Sequence, residues 1–465
     1  MTHNKTKYAL ICLCIISLCS TAFCGKIIYP FNATTAIVKA GETFDIWFDA
    51  DTGQTVKSVE LRSPYLIINR PMDSAITAGR EYDTISGNTC NWLITVTVPV
   101  DTPADRYDLV LKTSTGDDIS SRAVKVIREY KTEYSIFHIS DTHMCQGAKI
   151  NGHPERLLKV SALADLANII GPEIVFITGD LINDTNGRFP DAQKRADFFY
   201  NGSPANGVKG VQGFNAATFS AAGNHDFLEK SQPFKGEPKV KSKFWNKYHG
   251  LQYHHFKYGN TRLMTVNTGW VGLDWGYQLK DHASWLADVG SGNLRIAAYH
   301  KSEMGVMGAF ANKVDLGLTV IGHNHHLADK NPYALGGKKI QYYADSVREH
   351  LCFNLFRIKA DGSYTAVNNQ EFVENPADAP SLWRPKLTLT YAKANDGTSK
   401  ANTATLVNKF GIAFPRARVR FIMPKGASYT VSKGTIEQQF DGDSVRVVDV
   451  CVAIKANSKT TIKIN

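Results

Sequence analysis

Five short segments of this sequence carry side chains that bind metal ions: Asp141-Thr142-His143, Gly179-Asp180, Gly223-Asn224-His225-Asp226, His300, and Gly322-His323-Asn324-His325. In an extended chain, alternate residues project to the same side. Asp141 and His143 therefore share a face where the apolar run 136–139 ends. Mixed carboxylate, imidazole and amide donors suit borderline divalent metals. Two ions a few ångströms apart need about eight positions with one carboxylate shared, and the segments supply them. Taken singly, each motif is equally a capped turn or a satisfied histidine. Their succession is what points to a site.

Each segment follows a short apolar run that reads as a buried strand: 136–139, 174–177, 218–222, 294–299 and 318–321. Between them, 154–170 has Leu157, Leu158, Val160, Leu163, Leu166 and Ile169 at helical spacing, and further helices are expected near 191–200 and 281–289. Gly259-Asn260 marks the tip of a hairpin joining 253–258 to 262–267. Strand alternating with helix implies an α/β layered domain. In such sheets, sites form outside the carboxyl ends of strands, so loops distant in the chain can converge.

The flanks read differently. From 26 to 130, short alternating runs such as 43–48, 92–98 and 107–111 are cut by turn residues, as in an N-terminal Ig-like β-sandwich. After an α/β domain over 131–372, period-two runs at 387–391, 418–422, 445–450 and 460–464 predict a small C-terminal β domain over 373–465. Neither flank holds a cluster of reactive side chains.

The chain has 465 residues, 43% hydrophobic and 21% charged, with a net charge of +10, which is the make-up of a folded multi-domain protein. No Lys/Arg cluster interleaved with aromatics stands out, so no nucleic-acid partner is indicated. Lys5 and Lys7 precede an apolar run over 9–22 that is too short to span a membrane, so 1–25 reads as a secretory signal peptide. Secretion, to the periplasm or the medium, is the expectation. Cys24 could carry a lipid, but Phe23 departs from the small residue such processing requires. No later run is long and apolar enough for a transmembrane helix. Cys90, Cys145, Cys352 and Cys451 follow the leader without a CxxC pair, and plain packing is expected of them.

The order Asp-x-His, Gly-Asp-x-x-x-Asp, Gly-Asn-His-Asp, a strand-terminal His, then Gly-His-x-His resembles the calcineurin-like metallophosphoesterases over about 134–370. The resemblance implies a β-sandwich flanked by helices that holds two divalent or trivalent ions such as Fe, Zn or Mn. Asp141, His143, His325 and Asp180 would hold one; Asp180, Asn224, His300 and His323 the other. His225 would face the phosphate, with Asp226 orienting its ring. The implied activity is hydrolysis of phosphate esters by metal-bound hydroxide attacking phosphorus, His225 assisting the leaving group. The N-terminal sandwich is similar to that of purple acid phosphatases. Asn183, however, stands where that branch has a Tyr ligand, and Asp226 where it usually has Glu, so the reading is a member outside it. Two other readings stay open: a phosphodiesterase acting on lipid headgroups or nucleotides, and a surface-binding protein with a residual metal site. Asp184 is a candidate to brace a ligand, and His153 and His326 could touch substrate. Trp270, Asp274, Trp275 and Tyr277 either frame the substrate mouth or pack beneath their loop.

Overall fold

The computed structural model describes residues 27–465 apart from 71, 78, 84–87, 146–148, 151–152, 184–188, 228–244, 269–274, 291, 293, 327–330, 338 and 376–382. The leader and Cys24, Asp184, Trp270 and Asp274 lie outside the described residues, as do the side chains of His153 and Trp275.

Two sheets form the middle of the molecule. In one, Ala217–Ala221, Ile174–Thr178 and Tyr134–Ile139 run parallel, and Cys352–Ile358 and Tyr364–Glu371 complete the sheet antiparallel. In the other, Thr261–Thr265, Leu294–Tyr299, Leu318–Ile321 and Lys339–Tyr343 are parallel, edged by His254–Tyr258 and Tyr333–Gly336. Strand alternation decides what each face buries. Ile136, Ile174 and Phe176 point inward with Leu263, Ile296 and Val320 of the other sheet, while Phe137 and Ile139 point outward. Against that outer face lies the helix Glu155–Ile170 with Leu157, Val160 and Leu163; Gly171, at φ 73°, ends it in the left-handed conformation that glycine adopts without penalty. Helices Trp275–Asp288 and Met304–Lys313 cover the outer face of the second sheet. The last of these was not expected from the sequence. Two glycines weaken its helical signal, and one is needed: a Cβ on Gly308 would fall 2.5 Å from the Leu335 carbonyl.

The N-terminal residues form a four-stranded sheet against a five-stranded one, with Ile46, Phe48, Leu61, Ile94, Leu109 and Val124 between them. This module also covers a sheet edge. Ala33 and Thr35 exchange backbone hydrogen bonds with Ser220 and Thr218 on the outermost strand of the first central sheet, satisfying groups that would otherwise be exposed. Arg106 pins the contact: fully buried, it donates to the carbonyls of Asn32 (2.7 Å), Phe214 (2.9 Å) and Arg122 (2.6 Å) and to Thr218 Oγ1 (2.6 Å).

The C-terminal residues make two three-stranded antiparallel sheets. Asn402–Asn408 and Thr435–Asp441 join the strands expected from the sequence. Their apolar face, including Leu406, Phe410, Phe414 and Val419, shares one core with helix Glu155–Ile170. The four cysteines in the described residues are free thiols.

Candidate metal centre

All five motif segments leave the carboxyl ends of parallel strands, at the same end of the two facing sheets. Backbone hydrogen bonds lace them together before any side chain is considered. His143 N–H donates to the Asp180 carbonyl at 2.8 Å and Asp141 N–H to that of Gly179 at 3.1 Å. Carboxylates then reach across: Asp141 Oδ2 accepts the His323 N–H at 2.9 Å, and Asp180 Oδ1 accepts that of His225 at 2.9 Å. Crowding has a conformational cost. Asp141, His143, Asp180 and His323 all have positive φ, between 43° and 72°, each costing on the order of 1 kcal/mol or more. Glycines make the close approach possible. A Cβ on Gly322 would lie 1.8 Å from Ser140 Oγ, and one on Gly223 would lie 2.0 Å from the Asp180 nitrogen.

The side chains gather into two groups that share one member. Asp141, His143, Asp180 and His325 converge, as do Asp180, His300 and His323, with the ligating atoms of each group within 4.8 Å of one another. In the first, His325 Nε2 lies 3.1 Å from Asp141 Oδ1, and His143 Nε2 lies 3.5 Å from Asp180 Oδ2. In the second, His300 Nε2 sits 3.2 Å from Asp180 Oδ2. Its other nitrogen, 2.7 Å from the Thr178 carbonyl, donates there, which fixes the tautomer and turns Nε2 toward the carboxylates. Asn224 Oδ1 is buried with no hydrogen-bond donor.

The electrostatics of the cluster are set by its two buried carboxylates. Asp141 and Asp180 are both buried, and each faces imidazoles rather than Lys or Arg. Burial alone would discharge His300, yet Asp180 and Asp141 overcome it and push its pKa up to about 9. Bonds to Asp141 and Glu349 push His325 up to about 10. His323, half-buried and facing His300, moves the other way, to about 4. A metal ion would offset the charge of the two buried carboxylates, and the donor set of carboxylate, imidazole and amide fits one.

Asp226, expected to orient the His225 ring, accepts the backbone N–H groups of Ile182 (3.0 Å) and Gly223 (2.8 Å) with its two oxygens. It ties the third motif to the second. Burial, then the nearby Asp180 charge, raises its pKa to about 8. His225 packs edge-on against His143, ring centroids 4.7 Å apart, with its Nε2 3.9 Å from Asp180 Oδ2. His326 pairs with His350 at 3.4 Å, and His254 and His255 lie on the edge strand of the second sheet. Sequence reasoning missed Glu349, whose Oε2 lies 3.0 Å from His325 Nδ1, and Thr268, whose hydroxyl accepts the His300 and Lys301 N–H groups. Neither sits in a motif with recognisable spacing.

A two-sheet domain with carboxylates and histidines at its carboxyl edge defines a metal-dependent phosphoester hydrolase once the family match is added: residues 134–327 match the model for calcineurin-like phosphoesterase. The chain thus carries a calcineurin-like phosphoesterase domain over residues 134–327. No curated protein matches the sequence. Among solved structures, the chain resembles a purple acid phosphatase from yellow lupin (Lupinus luteus) at 13% identity and a TM-score of 0.39, covering 70% of this chain and 72% of that one. It also resembles a putative 5'-nucleotidase from Staphylococcus aureus at 12% identity and TM-score 0.33, covering 51% and 53%. A dimetal phosphatase from Danio rerio overlays at 11% identity and TM-score 0.31, covering 51% and 99%. The chain thus spans about half the length of the nucleotidase. The domain assignment rests on the sequence match, and the strands Cys352–Ile358 and Tyr364–Glu371 complete the sheet beyond it.

Proposed function

We propose that the protein is an exported phosphoesterase whose centre holds two cations, one on Asp141, His143, His325 and Asp180, the other on Asp180, Asn224, His300 and His323. The observation that carries this reading is the membership of Asp180 in both ligand groups. When bound, such ions polarise phosphoryl oxygens and lower the pKa of water by several units. Asp180 would serve both ions; its Oδ1 accepts the His225 N–H, and its Oδ2 lies toward His143 and His300. His225 is partly exposed. Its side chain is 17% accessible and that of His325 21%, where those of His143 and His300 are 1% and 0%. In this reading His225 faces the side from which substrate arrives. There it protonates the departing alkoxide or stabilises the charge that develops on it.

Purified protein reconstituted with Mn, Zn or Fe and assayed on p-nitrophenyl phosphate and bis-p-nitrophenyl phosphate tests the reading. Metal-dependent release with two ions bound per chain is the expected result. No release from either ester or from a panel of natural esters, or a single bound ion at full activity, would overturn it. Export is supported by the basic and apolar pattern at 1–25. Amino-terminal sequencing of protein recovered outside the cytoplasm should begin between residues 23 and 26.

A further inference from the structure

Away from the metal centre, the three domains meet around a cavity of about 250 Å³, lined by Lys125 and Arg128 of the N-terminal sandwich, Lys131 and Glu173 of the central domain, and Arg418 and Glu437 of the C-terminal domain. Most of the carboxylates that face it are already matched. Glu173 takes Lys131 Nζ at 2.7 Å and the Ser135 N–H at 3.0 Å. Glu437 pairs with Arg416 and lies 3.8 Å from Lys131. Asp449 accepts from Arg418, Arg420 and Gln438 at 2.6 to 2.9 Å. Glu129 is exposed to solvent.

Two donors are left over. Lys125 is only 8% exposed, and among the described residues its ammonium makes neither an ion pair nor a hydrogen bond. Arg418 Nε is buried without an acceptor. Arg418, Arg420 and Arg122 act on Lys125 from nearby and add to the positive potential, with Asp105 opposing them from beyond ion-pair distance. A buried ammonium without an ion-pair partner is costly, and so is a guanidinium nitrogen without an acceptor. A single anion with several oxygens would answer both, because ammonium and guanidinium donate together to such groups in charge-assisted bonds.

We propose that this junction is a binding site for a phosphate-sized oxyanion, held between Lys125 Nζ and the Arg418 guanidinium, which locks the three domains together. Its occupant neutralises charge from the first and third domains at one point. The site contains none of the metal ligands, so it operates independently of the chemistry proposed above.

Thermal unfolding of the full metal-loaded chain, at equal ionic strength in chloride, sulfate and inorganic phosphate, tests the proposal. Sulfate and phosphate should raise the midpoint saturably above its value in chloride. Lys125→Met should lose that increment while its midpoint in chloride is no lower than that of the wild type. His323→Ala, altered at the metal centre, should keep it. Equal midpoints in all three salts, an increment that survives in Lys125→Met, or one that vanishes in His323→Ala would each overturn the site. Should Lys125→Met fail to fold, wild type and His323→Ala across the three salts still decide the matter.

Discussion

Glu349 Oε2 lies 3.0 Å from His325 Nδ1, on the opposite side of the ring from the Nε2 that sits 3.1 Å from Asp141 Oδ1. A carboxylate behind a ligating imidazole fixes its tautomer and raises its basicity. Arg348 holds the other Glu349 oxygen at 2.9 Å, so the carboxylate is itself positioned. Glu349→Ala should therefore weaken metal affinity by about 10–100-fold, with turnover recovered when metal is saturating. Titrating metal into stripped protein checks the affinity. Unchanged affinity would remove Glu349 from the centre.

Because His225 is proposed to serve the leaving group, its removal should matter most when that group is poor. General acid catalysis contributes about 10²–10⁴-fold, so His225→Ala should lose on the order of that factor on an alkyl phosphate. It should lose far less on p-nitrophenyl phosphate, whose leaving group needs no proton, with bound metal unchanged. Near wild-type rates on both esters would remove the role.

Gly223 and Gly322 are required for space. Alanine at either position puts a Cβ about on top of Asp180 or Ser140, and overpacking of this kind costs about 1–3 kcal/mol. Both variants should bind metal poorly and unfold earlier, the loss of metal exceeding what the stability change alone produces. Metal analysis and denaturant titration together separate the two effects.

Arg106 has backbone carbonyls, the Asn32 amide oxygen and the hydroxyls of Thr218 and Thr35 as partners rather than a carboxylate. Arg106→Met fills the volume but strands these acceptors, each at about 1–3 kcal/mol. A loss of about 3 kcal/mol or more in unfolding free energy is expected. Hydrogen exchange should show the 31–35 segment loosening from strand Ala217–Ala221 first.

Lys125 makes stability depend on pH in a predictable direction. Burial and then Arg418, helped by Arg420 and Arg122 and opposed by Asp105, lower its pKa from 10.5 to about 7. The unfolded chain then binds a proton that the folded chain lacks between about pH 7 and 10.5, and stability contributed by this group rises with pH across that window. In chloride, wild type should gain on Lys125→Met as pH climbs from about 7 to 9.5. Parallel denaturation curves at the two pH values would show that the lysine is not so perturbed.

The candidate metal ligands were legible in the sequence because each follows a short apolar strand, and strand ends are where an α/β sheet presents its loops. Hydrophobic period likewise announced the helix Glu155–Ile170 and the β character of both flanks. Local pattern carries that much because it reflects which face of each element is buried. Partners joined only by packing left no such trace. Glu349 meets His325, Arg106 meets Phe214, and Lys125 lines one cavity with Arg418 across separations of 24, 108 and 293 residues, with no periodicity linking them. Sequence alone determined which residues could bind metal and which segments had to be strands. Which carboxylate both ligand groups share, what stands behind each imidazole, and where unpaired charge collects between domains were decided by how the two sheets and their flanking β modules close on one another.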